Sequence, residues 1–240
     1  MKRERVFRVF LDGLRPGPVR VTGDAAHHLV QVLRCRPGQT VIAFDGEGLE
    51  AEGTVTETGP GHASLELGEP RPGSGEAALT VTVAVALLKG DKLRDVVRQG
   101  TELGAAAFRP FISRHADVRQ LSPNRLGRLR RVAQEAARQS GRAVVPPVHE
   151  AVTTAELTDT LRGQTVIYAD PLAEQTLAAA VPGTDGEVTV LTGPEGGFSE
   201  GEISLFQESG FQGVWLGTRI LRAETAPPAL LSALLLPEAL

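Results

Sequence analysis

Residues 192–199 form a glycine-rich segment of the kind that binds ligands in parallel-sheet proteins. The segment reads Thr-Gly-Pro-Glu-Gly-Gly-Phe-Ser, and it lies between an apolar stretch that predicts a strand and a Ser-x-x-Glu pattern that predicts a capped helix. Ligands bind at the carboxyl ends of parallel strands, where glycines let the backbone approach a ligand that a Cβ atom would repel. The spacing matches neither a dinucleotide fingerprint nor a P-loop. We predict a ligand site here, with a tight strand-to-helix turn as the alternative.

A second segment, residues 216–226, begins where another strand is predicted to end. It reads Leu-Gly-Thr-Arg-Ile-Leu-Arg-Ala-Glu-Thr-Ala. Its two arginines and Glu224 lie in a region, residues 143–240, that holds three basic and thirteen acidic residues. Basic residues that are so few among acidic ones indicate a function for these arginines. Surface ion pairs between Arg219, Arg222 and acidic neighbours, which contribute little to stability, are the alternative.

Charge alternates along the chain although the net charge is only −4. Residues 1–36 carry +5 and residues 89–142 carry +8, whereas residues 37–88 carry −7 and residues 143–240 carry −10. Basic segments separated by acidic ones can form one positive surface for a nucleic acid. An arginine-rich composition that is unrelated to binding explains the same counts, so both interpretations stay open.

The pattern of apolar residues predicts two domains of different class. Short β segments separated by turns predict a small barrel or sandwich, interrupted by a helix at Asp24–Arg34. Residues 69–76 have the composition of a linker, and we predict domains at residues 1–72 and 73–240. After the linker, strand-like and helix-like segments alternate, which requires a parallel sheet with helices on both faces. The predicted elements include strands at Val144–Val148 and Val214–Leu216 and a helix at Leu172–Ala180.

Several classes of protein are excluded by composition. No apolar run approaches the roughly 20 residues needed to cross a bilayer, and the N-terminus lacks the pattern of a secretory signal. The single cysteine, Cys35, excludes an internal disulfide, and the five histidines show no metal-ligand spacing. We therefore expect a cytoplasmic protein that binds no membrane and no metal.

Both glycine-containing segments, together with Leu88–Lys92, Thr101–Gly104, Glu135–Arg142 and His28–Arg34, resemble the bacterial ribosomal RNA small subunit methyltransferase E family. That family makes N3-methyluridine in 16S rRNA. The resemblance spans residues 5–235, with the motifs in the same order. Gly-Pro-Glu-Gly-Gly followed by Leu-Gly-x-Arg-Ile-Leu-Arg-x-Glu-Thr-Ala is its most specific part.

The resemblance implies a fold, a cofactor and an assembly. The fold would be a small PUA-like β-barrel domain followed by a SPOUT α/β domain with a C-terminal deep trefoil knot, commonly in a homodimer. S-adenosylmethionine would sit bent in the knot, held mainly by backbone groups. The candidate cofactor-binding residues are Leu191, Thr192, Gly193, Glu195, Gly196, Leu216, Gly217, Ile220, Leu221 and Ala226.

The chemistry of the implied reaction assigns further roles. Uridine N3 is a weak acid that must lose its proton before or during attack on the methyl group. As a hypothesis, Arg222 orients the uracil oxygens and Glu224 or Glu195 accepts the proton, although Glu195 could instead be a carboxylate at a helix start. The partner would be 16S rRNA or the small ribosomal subunit. Its phosphates have the candidate contacts Arg5, Arg8, Arg34, Arg36, Lys89, Lys92, Arg114, Arg138 and Arg142.

Two other functions stay open from the sequence. A SPOUT methyltransferase that acts on another RNA or nucleotide would share the cofactor site. An RNA-binding factor with a PUA-type domain could have lost turnover altogether.

Overall fold

The computed structural model describes residues 7–181 and 186–236, and the chain folds into two compact units. The first comprises the described residues up to Glu76 together with Ala137–Val145, and the second comprises Ala77–Ala136 and the described residues from Pro146 onward. The first unit thus ends near the predicted boundary at residue 72, and it also includes a later segment of the chain. The predicted domain limits themselves stay a prediction.

The first unit is built on a six-stranded sheet. Its elements are strand β1 (Phe7–Phe10), strand β2 (Gly17–Thr22), helix α1 (Gly23–His27), a π-helical turn (His28–Val32) and strands β3 (Thr40–Phe44), β4 (Leu49–Gly59), β5 (His62–Leu67) and β6 (Arg71–Pro72). The strand order is β1-β3-β4-β5-β2, and β6 pairs with β4. Only β1 and β3 are parallel; β4 pairs antiparallel with β3, β5 and β6, and β5 pairs antiparallel with β2.

One face of this sheet forms a hydrophobic core because apolar residues alternate along the strands. Val55 and Leu65 are opposite each other in the β4–β5 pair and both are buried. Gly53 opposes Leu67, and an added Cβ atom there would lie 2.5 Å from the end of the Leu67 side chain, which would have to move within the core. Cys35 packs in the same core, and burial raises the pKa of its thiol, which fits a packed small residue.

The second unit is a parallel sheet with intervening helices. Its elements are β7 (Leu79–Ala86), α2 (Lys92–Leu103), β8 (Ala107–Ile112), α3 (Pro123–Ser140), β9 (Val152–Thr153), α4 (Thr154–Leu161), β10 (Val166–Ala169), α5 (Leu177–Ala180), β11 (Gly186–Thr192), α6 (Glu200–Glu208), β12 (Gln212–Val214) and α7 (Ala226–Leu235). The last turn of α3 belongs to the first unit. The strand order is β12-β10-β11-β7-β8-β9, and every pair is parallel.

Both faces of the parallel sheet are covered, as the alternating pattern predicted. On β8, Phe111 packs in a cluster with Phe206 of α6. Phe108, three residues earlier and therefore on the opposite face, lies beside Gly100 of α2 and Leu231 of α7. An added Cβ atom on Gly100 would come within 2.7 Å of the Phe108 ring. The absence of a side chain at that position is what brings α2 close to the sheet.

Three predicted elements differ from the observed ones. The predicted strand Val144–Val148 forms only isolated bridges, because Pro146 and Pro147 cannot donate hydrogen bonds to a ladder. The predicted helix Leu172–Ala180 is limited to α5, and the strand predicted at Val214–Leu216 is observed two residues earlier, as β12. In consequence the residues after Val214 are free to line a cavity.

Candidate active site

A cavity of about 390 Å³ opens at the carboxyl edge of the parallel sheet in the second unit. It lies where β10, β11 and β12 end, and the segments that follow these three strands form its wall: residues 169–171, 192–197 and 215–221. Because all three strands are parallel, their carboxyl ends meet at one edge. The two glycine-containing segments, which are not adjacent in sequence, are thereby brought to the same site.

Nine of the ten predicted cofactor-binding residues line this cavity. They are Thr192, Gly193, Glu195, Gly196, Leu216, Gly217, Ile220, Leu221 and Ala226. The tenth, Leu191, is fully buried in the hydrophobic cluster that contains Phe206. Its side chain thus packs the end of β11, and its part in cofactor binding stays a prediction.

The cavity also contains residues that the sequence reasoning missed. Asp170 and Pro171 follow β10, and Trp215 and Thr218 belong to the segment after β12, which also brings the already considered Arg219 into the lining. The rule that ligands bind after parallel strands applies equally to the end of β10, so the Asp-Pro pair there could have been found. One Asp170 carboxylate oxygen, Oδ1, accepts a hydrogen bond of 2.9 Å from the backbone N–H of Leu172, which fixes the turn.

The glycines of the first segment make room for protein side chains. An added Cβ atom on Gly193 would lie 3.3 Å from the Phe198 ring, and one on Gly196 would lie 3.0 Å from the His115 Cβ atom. Gly217 differs, because its φ of +104° is the left-handed region that favours glycine and nothing lies within 4 Å of an added Cβ atom. Gly217 therefore keeps one side of the cavity open.

A lysine and two glutamates form an ion-pair cluster in this site. Lys92 Nζ lies 2.8 Å from Glu195 Oε1 and 3.4 Å from Glu224 Oε2, although both glutamates are distant from it in sequence. Glu224 Oε2 is buried, and the Lys92 contact lacks the geometry of a hydrogen bond. Arg222 Nη1 is 4.0 Å from Glu224 Oε1, and the Arg222 side chain is 83% exposed. Lys92, predicted as a phosphate contact, thus lies among carboxylates.

The cluster determines which of its carboxylates could act as a base. Burial alone would raise the pKa of Glu195, but the hydrogen bond from Lys92 and those from backbone N–H groups outweigh it and hold that pKa below its usual range. The hydrogen bond to Glu195 raises the pKa of Lys92 in turn. The low pKa makes Glu195 a poor proton acceptor, and Glu224 as the proton acceptor stays a prediction.

Glu202 fixes the chain where the glycine-rich segment ends. Its carboxylate accepts hydrogen bonds from the Ser199 backbone N–H (3.0 Å) and hydroxyl (2.9 Å), as the predicted capping box requires. It also accepts bonds from the Arg114 backbone N–H and the Thr154 hydroxyl, each at 2.9 Å. Burial would raise the pKa of Glu202, but these hydrogen bonds outweigh it and lower that pKa. One carboxylate thereby joins α6, α4 and the segment after β8.

The predicted RNA contacts in the first unit divide into buried and exposed ones. Arg8 pairs with Glu50 at 3.1 Å and donates to the Arg142 carbonyl, and Arg142 is itself buried in an ion pair with Glu76. These two guanidiniums stabilise the unit and are not available to phosphates. The remaining candidates there are exposed, half-buried or outside the described residues. Arg34 and Arg36 are exposed, Arg138 contacts His28, and Arg5 lies outside the described residues.

In the second unit, Arg114 is exposed and Lys89 pairs with Asp117 at 2.8 Å on the surface.

Within residues 7–181 and 186–236, no cluster of three or more His, Cys, Asp or Glu side chains could hold a metal ion. None of the helices in those same ranges has the length and hydrophobicity needed to span a membrane.

Comparisons with known proteins match residues of both units to families of RNA methyltransferases. Residues 75–235 match a family model described as an RNA methyltransferase domain, and residues 21–68 match one described as an RNA methyltransferase PUA domain. The chain is similar to proteins named Ribosomal RNA small subunit methyltransferase E. The Synechocystis relative is 35% identical over 219 residues, which are 89% of this chain and 71% of the relative. The Bacillus subtilis relative is 31% identical over 226 residues, which are 89% and 88% of the two chains.

A solved structure is similar over nearly the whole chain. It is the crystal structure of a Ribosomal RNA small subunit methyltransferase E from Neisseria gonorrhoeae bound to S-adenosyl methionine. The TM-score is 0.88 at 31% sequence identity, and the match covers 95% of this chain and 96% of the other.

Proposed function

This chain belongs to the ribosomal RNA small subunit methyltransferase E family, and on that premise we propose that it methylates N3 of a uridine in 16S rRNA. It is an RNA methyltransferase that uses S-adenosylmethionine. The observation that carries the proposal is the cavity, because both segments that are typical of the family line it together.

The chemistry of the cavity wall fits S-adenosylmethionine. A volume of about 390 Å³ lies in the range of small-molecule sites, roughly 300–1,000 Å³. Apolar side chains of Ile220, Leu221 and Ala226 would flank the adenine and the methionine chain, and backbone groups of residues 192–197 and 216–221 would bind the polar edges. The carboxylates of Asp170 and Glu195 suit a ligand with positive charge. The bound cofactor supplies an electrophilic methyl group.

The side chains beside the cavity account for the acceptor chemistry. Glu224 accepts the proton that uridine N3 must lose, and bound S-adenosylmethionine would supply the methyl group to that nitrogen as its methyl–sulfur bond breaks and sulfur keeps the electron pair. The exposed guanidinium of Arg222 orients the uracil oxygens and stabilises the charge that develops on them. Lys92 keeps Glu195 ionised and holds its ammonium group near Glu224. Glu195 thus has an electrostatic role in this scheme.

The target uridine must be unpaired for this chemistry. In an A-form duplex N3 is hydrogen-bonded to the partner base, so the nucleotide is single-stranded or flipped out. Exposed side chains of Arg34, Arg36, Lys89 and Arg114 remain candidates for phosphate contacts, and Arg5 and Arg138 stay predictions. Arg8 and Arg142 are left out because their guanidiniums are paired inside the first unit.

We also propose the assembly and topology that the family implies: a cytoplasmic homodimer whose C-terminal chain forms a trefoil knot. Exposed apolar side chains support an interface near the cavity. Leu172 is 87% exposed and Ile220 is 86% exposed, and Trp215 beside them is 37% exposed. Light scattering of the purified protein would contradict the dimer if it gave the mass of a single chain.

The function is tested by measuring cofactor binding and methyl transfer separately. We expect calorimetry to give stoichiometric binding of S-adenosylmethionine, and mass mapping of treated 16S rRNA or small subunits to place a methyl on uridine N3. Glu224→Gln should keep cofactor affinity and lower the rate of transfer by about 10²–10⁴-fold, the usual contribution of a general base. The matched control is Glu208→Gln, which removes an exposed carboxylate of α6.

Three outcomes would contradict parts of the proposal. Unchanged turnover in Glu224→Gln would remove Glu224 as the proton acceptor. Methylation of another atom or another RNA would keep the cofactor site and discard the substrate. Tight RNA binding without any binding of S-adenosylmethionine would indicate an RNA-binding factor that has lost turnover.

A further inference from the structure

A second cavity of the same unit is lined by arginines. It has a volume of about 750 Å³ and lies between the start of α2 and the first half of α3. Arg94 of α2 lines one side, and Arg125, Arg128 and Arg131 line the other. The spacing of three residues places the α3 arginines on one face of that helix. We call this cavity the arginine cleft.

The positive charge of the arginine cleft is only partly neutralised by the residues that the structure describes. Arg94, Arg128 and Arg131 are exposed, and none forms an ion pair with a carboxylate in residues 7–181 or 186–236. By contrast Arg98, one turn after Arg94 on the same helix, pairs with Glu102 at 3.1 Å and with Asp95 at 3.8 Å. Clustered like charges repel each other, so an anionic ligand would relieve this repulsion.

The backbone adds to the positive potential of the arginine cleft. Ser122 and Asn124 line it at the N-terminus of α3, an 18-residue helix in which Pro123 has no N–H group and the Arg125 N–H donates to the Ser122 hydroxyl at 3.3 Å, so that the chain itself already occupies part of this end. Such an end carries a partial positive charge and binds phosphate groups well. Asp91 is the acidic residue in the lining. Three guanidiniums without a carboxylate partner in the described chain and a long helix N-terminus therefore converge on one cavity.

The arginine cleft is joined to the proposed active site through the loop of residues 88–92. The Arg125 guanidinium donates to the carbonyls of Leu88 (3.0 Å) and Gly90 (2.8 Å) on one side of that loop. On the other side, Lys92 pairs with Glu195 in the wall of the cofactor cavity. Gly90 lines the arginine cleft, and Lys89 and Lys92 of the same loop contact Glu195 in the wall of the cofactor cavity. This loop therefore links the two cavities.

We propose that the arginine cleft binds the phosphodiester backbone of the single-stranded RNA segment that presents the target uridine. Arg94, Arg128 and Arg131 contact its phosphates, because a guanidinium forms paired hydrogen bonds with phosphate oxygens. A single strand fits this site better than a duplex does, since the target base must be unpaired and the cavity has room for only a few nucleotides. The proposal rests on the function proposed above and adds the site that holds the substrate.

The test compares matched arginines on one helix. R94Q removes an unpaired guanidinium of the arginine cleft, and R98Q removes the same charge from the next turn, where it is already neutralised. Binding of a fluorescent uridine-rich oligonucleotide to the full chain is measured by anisotropy over a range of salt concentrations. We expect R94Q to weaken binding about tenfold, the usual effect of losing one charged hydrogen bond, and R98Q to leave binding unchanged.

The salt dependence gives the sharper readout. Each phosphate contact to a single strand contributes about 0.7 to the slope of log affinity against log salt, so R94Q/R128Q/R131Q should reduce the slope by about 2. Calorimetry with S-adenosylmethionine, which we expect to be unchanged, shows that the variant is folded. A slope equal to that of the wild type would overturn the proposal. The proposal would also be overturned if the wild type bound inorganic phosphate saturably, the triple variant lost that binding, and the RNA affinity of the triple variant were unchanged. The arginine cleft would then be a site for a free anion.

Failure of the cleft and failure of the proposed function give different results. If the wild-type protein methylates RNA and the triple variant has the wild-type salt slope, the proposed function stands and the arginine cleft is rejected as an RNA site. If the wild-type protein transfers no methyl group but the triple variant has a reduced salt slope, the arginine cleft stands as an RNA site and the proposed function is rejected.

Discussion

Replacing Glu202 with glutamine should destabilise the second unit, because the charge and part of the hydrogen bonding are lost while the shape is kept. The amide nitrogen of glutamine must replace one carboxylate oxygen, and each oxygen of Glu202 accepts one hydrogen bond from a backbone N–H group and one from a hydroxyl. The backbone N–H would then face the amide N–H, whereas the hydroxyl can turn and accept. Hydrogen bonds to charged groups contribute roughly 1.5–3 kcal/mol each, so the loss of one and the weakening of the others should cost about 2–4 kcal/mol. Glu202 is only 7% exposed, so little of this is lost to solvent screening.

The pH dependence distinguishes a charge effect from a packing effect. The pKa of Glu202 is lowered in the folded protein, so its contribution is present above the unfolded value of about 4.3 and is lost as the pH falls through the folded pKa. In strongly acidic solution the wild type should therefore no longer have a higher free energy of unfolding than Glu202→Gln. At neutral pH the full difference should be seen.

Urea denaturation at neutral and acidic pH measures both quantities. Glu200→Gln is the control, because it removes an exposed carboxylate from the first turn of the same helix and should cost only about 0.3–1 kcal/mol. The affinity for S-adenosylmethionine should fall in Glu202→Gln, since the glycine-rich segment ends at the Ser199 cap. An equal loss at both pH values would refute the charge argument, and a loss no larger than that of the control would refute the role of the carboxylate.

Two further substitutions test the packing of each unit. Gly100→Val should destabilise the protein by about 1–3 kcal/mol, because its Cβ atom would overlap the Phe108 ring; a urea midpoint equal to that of the wild type would contradict this. Arg142→Met should cost about 2 kcal/mol, less than the roughly 3–5 kcal/mol of a fully buried pair because Glu76 is partly exposed. The RNA affinity of the folded Arg142→Met protein should be unchanged. If anisotropy titrations showed a lower RNA affinity while stability was unchanged, Arg142 would again be a candidate phosphate contact.

Short-range patterns predict the parts of this protein that depend on local spacing. The parallel sheet, its covered faces and the capping box at Ser199 follow from apolar periodicity and cap chemistry, which act over a few residues. The position of the cavity follows from the rule that parallel strands place their carboxyl ends at one edge. The predicted strand Val144–Val148 is wrong because the apolar pattern ignores the two prolines between its valines.

Contacts between distant residues could not be predicted from one sequence. The distribution of charge along the chain shows where basic residues are frequent, but not which of them are paired. Arg8 is half-buried and Arg142 is buried, each paired with a carboxylate 42 or 66 positions away. Arg94 and Arg128, which the sequence did not single out, remain exposed and without a carboxylate partner within the described chain. Burial and pairing are tertiary properties, so only the folded structure separates structural arginines from those that can bind a ligand.

The loop of residues 88–92 limits what a substitution of Lys92 can reveal. Lys92 pairs with Glu195, its neighbour Lys89 pairs with Asp117, and the Arg125 guanidinium holds the carbonyls of Leu88 and Gly90. Loss of the Lys92 ammonium would therefore disturb the proposed active site and one wall of the arginine cleft together. Reduced methylation in such a variant would not identify Lys92 as a phosphate contact. Arg94 and Arg98 avoid this ambiguity, because neither is among the residues that line the cofactor cavity and only Arg94 lines the arginine cleft.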